Sequence, residues 1–225
     1  MADTMIPPNQ PVKTGPPLPV PTYGPGGVFT ISGSSTIAAP ALTCLAITLD
    51  ASTYPSWNTF AKRVVIDSAP PVEEVKSTLD PALHDLVTCP GKNALYPGVK
   101  MQFEVFMSPD ADQGSSSSSG LMTPLEVSVL EKFERDGRTG YRVCWKYRGM
   151  MPGFMQRAER VQEFVEVVGE DGGVSTEYAG WETFGGFAFR LMPGFMVRQV
   201  EAGIGRWVDG LKGAAEKAAK DAKED

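Results

Sequence analysis

Three side chains combine a reactive group with a spacing that could put it to use: Glu131, Glu163 and Tyr141. Glu131 falls in phase with Leu125, Val127, Val129 and Phe133, and Glu163 with Val161, Val165 and Val167. At a strand period of two, each carboxylate then shares a face with apolar residues. Hydrocarbon surroundings raise a carboxyl pKa, which suits a general acid or base, or a group that orients a polar ligand end. Tyr141 opens the alternation Tyr141, Val143, Trp145, Tyr147 against Arg142, Cys144, Lys146 and Arg148, and its phenol can give or take a hydrogen bond. The plainer reading pairs both carboxylates with Arg157 or Arg160 at wet strand ends.

Other chemistries find less to work with. The single histidine, His84, lies beside Asp85 with no GxSxG elbow to supply a nucleophile. Cys44, Cys89 and Cys144 are far apart and form no CxxC, so they read as free thiols; with one histidine they assemble no local four-ligand set, and no metal is expected. Neither a GxGxxG after a strand nor a GxxxxGK[ST] is present, so no nucleotide cofactor is expected. A formal charge of -6 without a basic stripe argues against nucleic acid. No apolar run approaches the ~20 residues of a spanning helix, and the N-terminus lacks a signal-peptide pattern, which makes the cytoplasm the expected location.

These residues need elements to hold them. The first 25 residues contain eight prolines and little apolar area, which predicts an irregular or polyproline-like, disordered arm over 1–26. A strand is expected from Val28, a short helix after Pro40, a helical turn at Tyr54–Phe60 and a strand at Lys62–Ile66. Residues 67–98 carry proline sites and no clear period; such an insertion could rim or cover a cavity. Alternating strands follow at Val99–Met107, at Leu125–Phe133, after the Asp136–Gly140 turn, at Arg157–Val168, and at Tyr178–Phe184 after the turn Glu170–Gly173. The polar stretch Ser108–Gly120 reads as a flexible hairpin connection. Trp181 and Phe184 share a face only if Gly180 forms a bulge. Met196, Val200, Ile204, Trp207, Leu211 and Ala215 then recur at helical spacing from Gly194 to Ala219. One domain is expected over 27–219, with a charged tail at 220–225.

A family likeness rests on particular stretches: the opening strand ending Ser34-Ser35-Thr36-Ile37-Ala38-Ala39-Pro40, the turn Tyr54-Pro55-Ser56-Trp57-Asn58-Thr59-Phe60, Ala158-Glu159-Arg160-Val161-Gln162-Glu163, Tyr178-Ala179-Gly180-Trp181-Glu182-Thr183-Phe184-Gly185-Gly186, and the helix with Trp207 and Leu211. Together they resemble the SRPBCC superfamily, also called START-like or Bet v 1-like, and in particular small fungal members grouped with polyketide cyclase/dehydrase and lipid-transport proteins. The resemblance implies an α+β helix-grip fold, with a curved antiparallel sheet of about seven strands around a long C-terminal helix and an apolar cavity between them. It carries over no catalytic group.

On that fold the expected cavity residues are Met101, Phe103, Val105, Val127, Val129, Tyr141, Val143, Trp145, Tyr147, Met196, Val200, Ile204 and Trp207, with room for a ligand beside Gly203 and Gly205. The expected partner is a hydrophobic small molecule: a lipid, an isoprenoid or a polyketide-like compound. A cyclase or dehydratase using Glu131, Glu163 or Tyr141 is the alternative, and an interaction protein with a filled core and a working proline arm is a second. The word MPGFM occurs at Met151–Met155 and again at Met192–Met196, adaptable apolar surface suited to local packing, a portal or transient membrane contact.

Overall fold

In the structure, a computed structural model, residues 6–88, 93–108, 120–170 and 172–224 are described. Eight strands run in chain order: β1 (Lys13–Gly15), β2 (Phe29–Ile37), β3 (Ala61–Ser68), β4 (Lys100–Val105), β5 (Leu121–Arg135), β6 (Arg138–Tyr147), β7 (Arg157–Val168) and β8 (Val174–Gly185). They form one antiparallel sheet of order β1-β2-β8-β7-β6-β5-β4-β3. Between β2 and β3 lie the helices α1 (Ala41–Leu49) and α2 (Tyr54–Trp57); α3 (Val72–Lys76) and α4 (His84–Thr88) follow β3, and α5 (Phe187–Arg190) and α6 (Gly194–Glu224) end the chain. This is the helix-grip arrangement expected from the sequence, with eight strands among the described residues where about seven were expected.

The long helix holds the sheet through one aromatic cluster. Trp207 of α6 lies 5.7 Å from Trp145, 6.4 Å from Phe103 and 5.4 Å from Tyr54, ring centre to ring centre. Contacts from one indole to β4, β6 and α2 require a sheet curved around the helix. Val200, Ile204, Val208, Leu211 and Ala215 continue the buried stripe, which is the 3.6-residue period made physical. The helix is unbroken through Gly203 and Gly205 and runs on through the expected charged tail to Glu224.

Row by row, the sheet has two buried faces. One transverse row reads Trp145, Arg160, Glu182, Ile31 and faces the helix; the next reads Cys144, Val161, Trp181, Ser32 and faces away. On the far side Val20 packs with Cys144, Val161 and Trp181 in a second, smaller apolar cluster. The described part of the arm is therefore an ordered strap, not the disordered leader expected. Its residues 13–15 extend the sheet as β1, and its next stretch crosses the outer face. Trp181 Nε1 donates to Pro19 O (3.1 Å) and Thr183 Oγ1 to Leu18 O (2.8 Å). Thr22 donates its N–H and hydroxyl to the two oxygens of Glu159, at 2.8 and 2.7 Å. Prolines cost the strap donors and not acceptors, so Pro19 takes part through its carbonyl while the non-proline residues Leu18 and Thr22 also donate, Leu18 N to Thr30 Oγ1 at 2.8 Å. Thr14 ties the same strap to α6, through its N–H and hydroxyl to Glu201 Oε2 at 2.8 and 2.7 Å.

Two local expectations are corrected. The register of β8 with both neighbours runs unbroken through Gly180, so there is no bulge there: Trp181 faces the strap and Phe184 the helix. A bulge that bears on the site lies in β5 instead, where Val127 pairs Trp145 and Val129 pairs Cys144. The extra residue, Ser128, points outward and donates to Glu159 Oε1 at 2.7 Å. None of the described residues of 67–98 lines the cavity, and Leu83, Val87 and Leu95 join the main core. Met1–Met5, Cys89, the Ser115–Ser119 run, Asp171 and Asp225 lie outside the described residues.

Candidate functional site

Between the first half of α6 and the inner sheet face lies a cavity of about 280 Å³, at the lower end of the volumes that hold small molecules. Each part of its wall comes from a different element. Phe103 and Val105 come from β4, Leu121, Met122, Thr123 and Leu125 from β5, and Trp145 and Tyr147 from β6. Ala158 and Arg160 come from β7, Glu182 and Phe184 from β8, and Met196, Val200 and Trp207 from α6. Phe60, Ala61, Met107, Gln156, Phe189 and Met192 complete it. Inner-face positions of β4, β6, β7 and β8 alternate with outward ones, so the sheet period turns these residues towards α6, and their place along the strand decides that they line the cavity.

Seven of the expected cavity residues line it: Phe103, Val105, Trp145, Tyr147, Met196, Val200 and Trp207. Met101, Val127, Tyr141, Val143 and Ile204 instead lie in the solid core. Val129 is on the opposite side of the sheet, beside the strap cluster, because the bulge at Ser128 reverses the phase of β5. Leu130 takes the inward position in its place. Gly203 leaves no ligand space, since a Cβ there would come within 2.2 Å of the Phe60 ring. Gly205 is open, with nothing within 4 Å of a Cβ, but it faces a separate hollow between α6 and the strap, lined by Gln10, Val12 and Glu201, and not the cavity.

The same bulge removes Glu131 from the cavity. Glu131 pairs with Arg142 on the outer face. Glu163 shares that face, 1% exposed, receiving Arg135 Nη1 at 2.8 Å and Arg142 Nε and Nη2 at 2.9 and 2.7 Å. The Phe133 ring lies under both guanidinium groups, 5.0 Å from that of Arg135 and 4.8 Å from that of Arg142. Two arginines on one buried carboxylate repay its desolvation; this is a structural network. Tyr141 faces inward in the core, where burial raises its pKa.

The polar groups inside the cavity are others. Arg160, 5% exposed, reaches across its floor with its guanidinium carbon 4.9 Å from the centre of the Trp207 ring. Its Nη1 is 3.7 Å from Glu182 Oε2, a loose ion pair, while its Nε and Nη2 have no hydrogen-bond partner. Gln162 Nε2 and Trp207 Nε1 nearby on the same face are likewise unpartnered. Burial raises the Glu182 carboxyl above its ordinary value, with Arg160 acting in the opposite sense. Burial similarly raises the Tyr178 phenol, which donates to Gln162 Oε1 at 2.8 Å. Buried donors without acceptors are uncommon and call for an explanation. Sequence reasoning passed over Glu182 because the supposed Gly180 bulge left its face undecided. In the sequence Arg160 offers itself as a partner for other carboxylates, and the valines at 161, 165 and 167 favour the odd-numbered face as the inner one. The pairing of Arg160 with Trp145 and Glu182 turns the even-numbered face inward instead.

The two described cysteines are buried free thiols. Burial pushes Cys44 up to about 11 and Cys144 well above its ordinary value, so neither is poised as a nucleophile. His84 belongs to α4, with Nε2 3.2 Å from Leu79 O, and does not line the cavity.

No protein-family model matches the chain, and no curated protein sequence does. Solved structures do. A hypothetical protein, jhp0584, from Helicobacter pylori superposes with a TM-score of 0.52 at 12% identity, over 82% of this chain and 86% of that one. Ara h 8.0201 gives 0.48 at 10% identity over 85% and 97%. A START superfamily protein from Mycobacterium smegmatis gives 0.41 at 17% identity over 86% and 98%. The first likeness shows a shared fold alone, and the two looser ones add no argument.

Proposed function

We infer that the protein binds a hydrophobic small molecule between α6 and the sheet, with a polar end of that molecule set against Glu182 and Arg160. The observation that carries this reading is the pairing of a cavity of about 280 Å³ with a buried arginine on its floor whose Nε and Nη2 lack partners. Apolar walls supply the driving force for burial of a hydrocarbon body. A ligand oxygen near the floor would give the guanidinium an acceptor, and a hydroxyl could also donate to the Glu182 carboxylate. Aromatic rings from Phe103, Trp145 and Trp207 favour a flat or branched body.

The second reading, a cyclase or dehydratase, passes from Glu131 and Glu163 to Glu182. Glu182 is the carboxyl that lines the cavity, and its raised pKa suits proton transfer to a folded substrate. Binding is the common requirement of both readings.

Titration with a hydrophobic fluorophore tests it. Saturable binding to the wild-type chain is expected, and Ala158→Phe, which fills the cavity from β7, should weaken it at least about tenfold with the far-ultraviolet circular dichroism unchanged. Wild-type protein that binds no fluorophore, or a folded Ala158→Phe variant that binds it as well as wild type does, would contradict the reading. Mass spectrometry of an organic extract then identifies what the cavity takes from the cell.

A further inference from the structure

The wall of the cavity does not stop at its mouth. Leu121, Met122 and Met196 line the cavity and are also solvent-exposed, at 58%, 38% and 37%. Beyond them the apolar surface continues over the connection between β6 and β7 and over the segment from α5 to the start of α6. These two stretches hold the two copies of MPGFM, and the backbone brings them together. Phe187 N donates to Phe154 O at 3.1 Å, and Ala188 N to Met155 O at 2.9 Å. Gly186, at φ 97°, allows the approach, since a Cβ there would lie 2.6 Å from the Met155 carbonyl. The result is a ridge on which Met151, Phe154, Phe187, Leu191 and Phe195 are all more than half exposed. Single exposed apolar residues are ordinary, but a contiguous set marks an interaction surface.

The charge around the ridge names the partner. The chain carries a net charge of -6, yet residues 148–157 and 186–200 contain four arginines and no carboxylate. Arg190 and Arg198 are exposed. Arg148 is paired with Asp67 at 2.9 Å, and Arg157 lies 5.6 Å from the Tyr23 ring centre. Exposed phenylalanine, leucine and methionine flanked by arginine on an otherwise acidic molecule fit an anionic bilayer, which takes the apolar tips below its head groups and the guanidinium groups among them. We propose that this ridge docks the mouth of the cavity onto anionic phospholipid membranes, so that an apolar ligand passes between bilayer and cavity without crossing water. Among the described residues no helix is long and apolar enough to cross a membrane, so the contact is made at the surface. The passage of ligand rests on the binding reading; the docking does not.

Co-sedimentation of the full chain with vesicles of phosphatidylcholine alone, or with added phosphatidylglycerol, tests the proposal. The wild-type protein is expected to pellet with the anionic vesicles, less so at high salt. The double variant Phe154→Ser, Leu191→Ser should lose at least about tenfold in affinity, and Arg190→Glu about fivefold or more. None of these residues lines the cavity, so the variants should keep the wild-type fluorophore affinity, which separates loss of docking from loss of the pocket. Wild-type protein that stays in solution with both vesicle types overturns the proposal. So does pelleting that the variants leave unchanged. A dimer in sedimentation velocity that the double variant abolishes would assign the ridge to a second copy of the chain and overturn it equally.

Discussion

Nη1 of Arg160 lies 3.7 Å from Oε2 of Glu182 at the floor of the cavity, across the β7–β8 pair that sets the two residues directly opposite one another. The pair is close enough to attract and too far apart to form a good hydrogen bond. The raised carboxyl pKa reflects burial prevailing over this attraction.

A carboxyl with a raised pKa in the folded state holds its proton more tightly there than in the unfolded chain. Its contribution to stability is present below the ordinary value of 4.5 and is lost as pH rises through the folded value. Glu182→Gln keeps the shape without the titration. Stability of the wild type relative to this variant should therefore fall as pH rises from about 4.5 to neutrality. Urea unfolding of both proteins at several pH values measures the difference; a gap independent of pH would show that the carboxyl titrates normally.

Glu163 has the opposite prospect. Removing it in Glu163→Ala leaves Arg135 and Arg142 buried on the outer face without their shared acceptor. A loss of about 3–5 kcal/mol is expected in denaturant unfolding. Fluorophore affinity, measured where the variant is still folded, should match the wild type. A selective loss of binding with stability intact would restore Glu163 to the site.

The glycines of α6 separate propensity from packing. Gly205→Ala meets nothing within 4 Å and should stabilise the helix by about 0.5–1 kcal/mol. At Gly203→Ala the new carbon would meet the Phe60 ring at 2.2 Å, and at Gly210→Ala the Trp57 carbonyl oxygen at 2.3 Å. Both should destabilise despite the same gain in propensity, by about 1–3 kcal/mol. Thermal unfolding of the three variants gives the order; a stable Gly210→Ala would mean that the helix sits farther from α2.

Cys144 reports on the strap. It is fully buried beside Val20, Val161 and Trp181. In the full chain it should resist alkylation, and deletion of residues 1–25 should expose it. Peptide mass spectrometry after brief alkylation measures this at Cys144 itself. Glu159→Gln should give an intermediate rate, since it weakens the two bonds from Thr22. Protection that survives the deletion would show that the strap does not cover the sheet.

Much of the site was legible because strand and helix periods repeat. Tyr147 and Trp145 alternate with charged residues over one uninterrupted strand, and Val200 and Trp207 fall one helical face apart, so their inward direction followed from spacing. Val129 and Glu131 were misplaced by one inserted residue. A bulge shifts every later side chain to the opposite face, and nothing about Ser128 in isolation announces it. Its cause is tertiary: the hydroxyl of Ser128 turns out to meet Glu159, which lies in another strand and also holds Thr22.

The amino-acid sequence by itself determined the order of the elements from β2 onward apart from the short helices α3, α4 and α5, together with the antiparallel hairpins and the long amphipathic helix, because these depend on neighbours within a few residues. Only the tertiary structure decided that both faces of the sheet are buried, that the proline-rich segment supplies the second cover, and that Arg160 and Glu182 rather than Glu131 and Glu163 meet in the cavity. Those outcomes depend on strand register and on contacts between residues more than a hundred positions apart, such as Thr22 with Glu159 and Leu18 with Thr183. Local period gives each strand two faces. Which face meets the helix and which the strap is set when the sheet closes around α6.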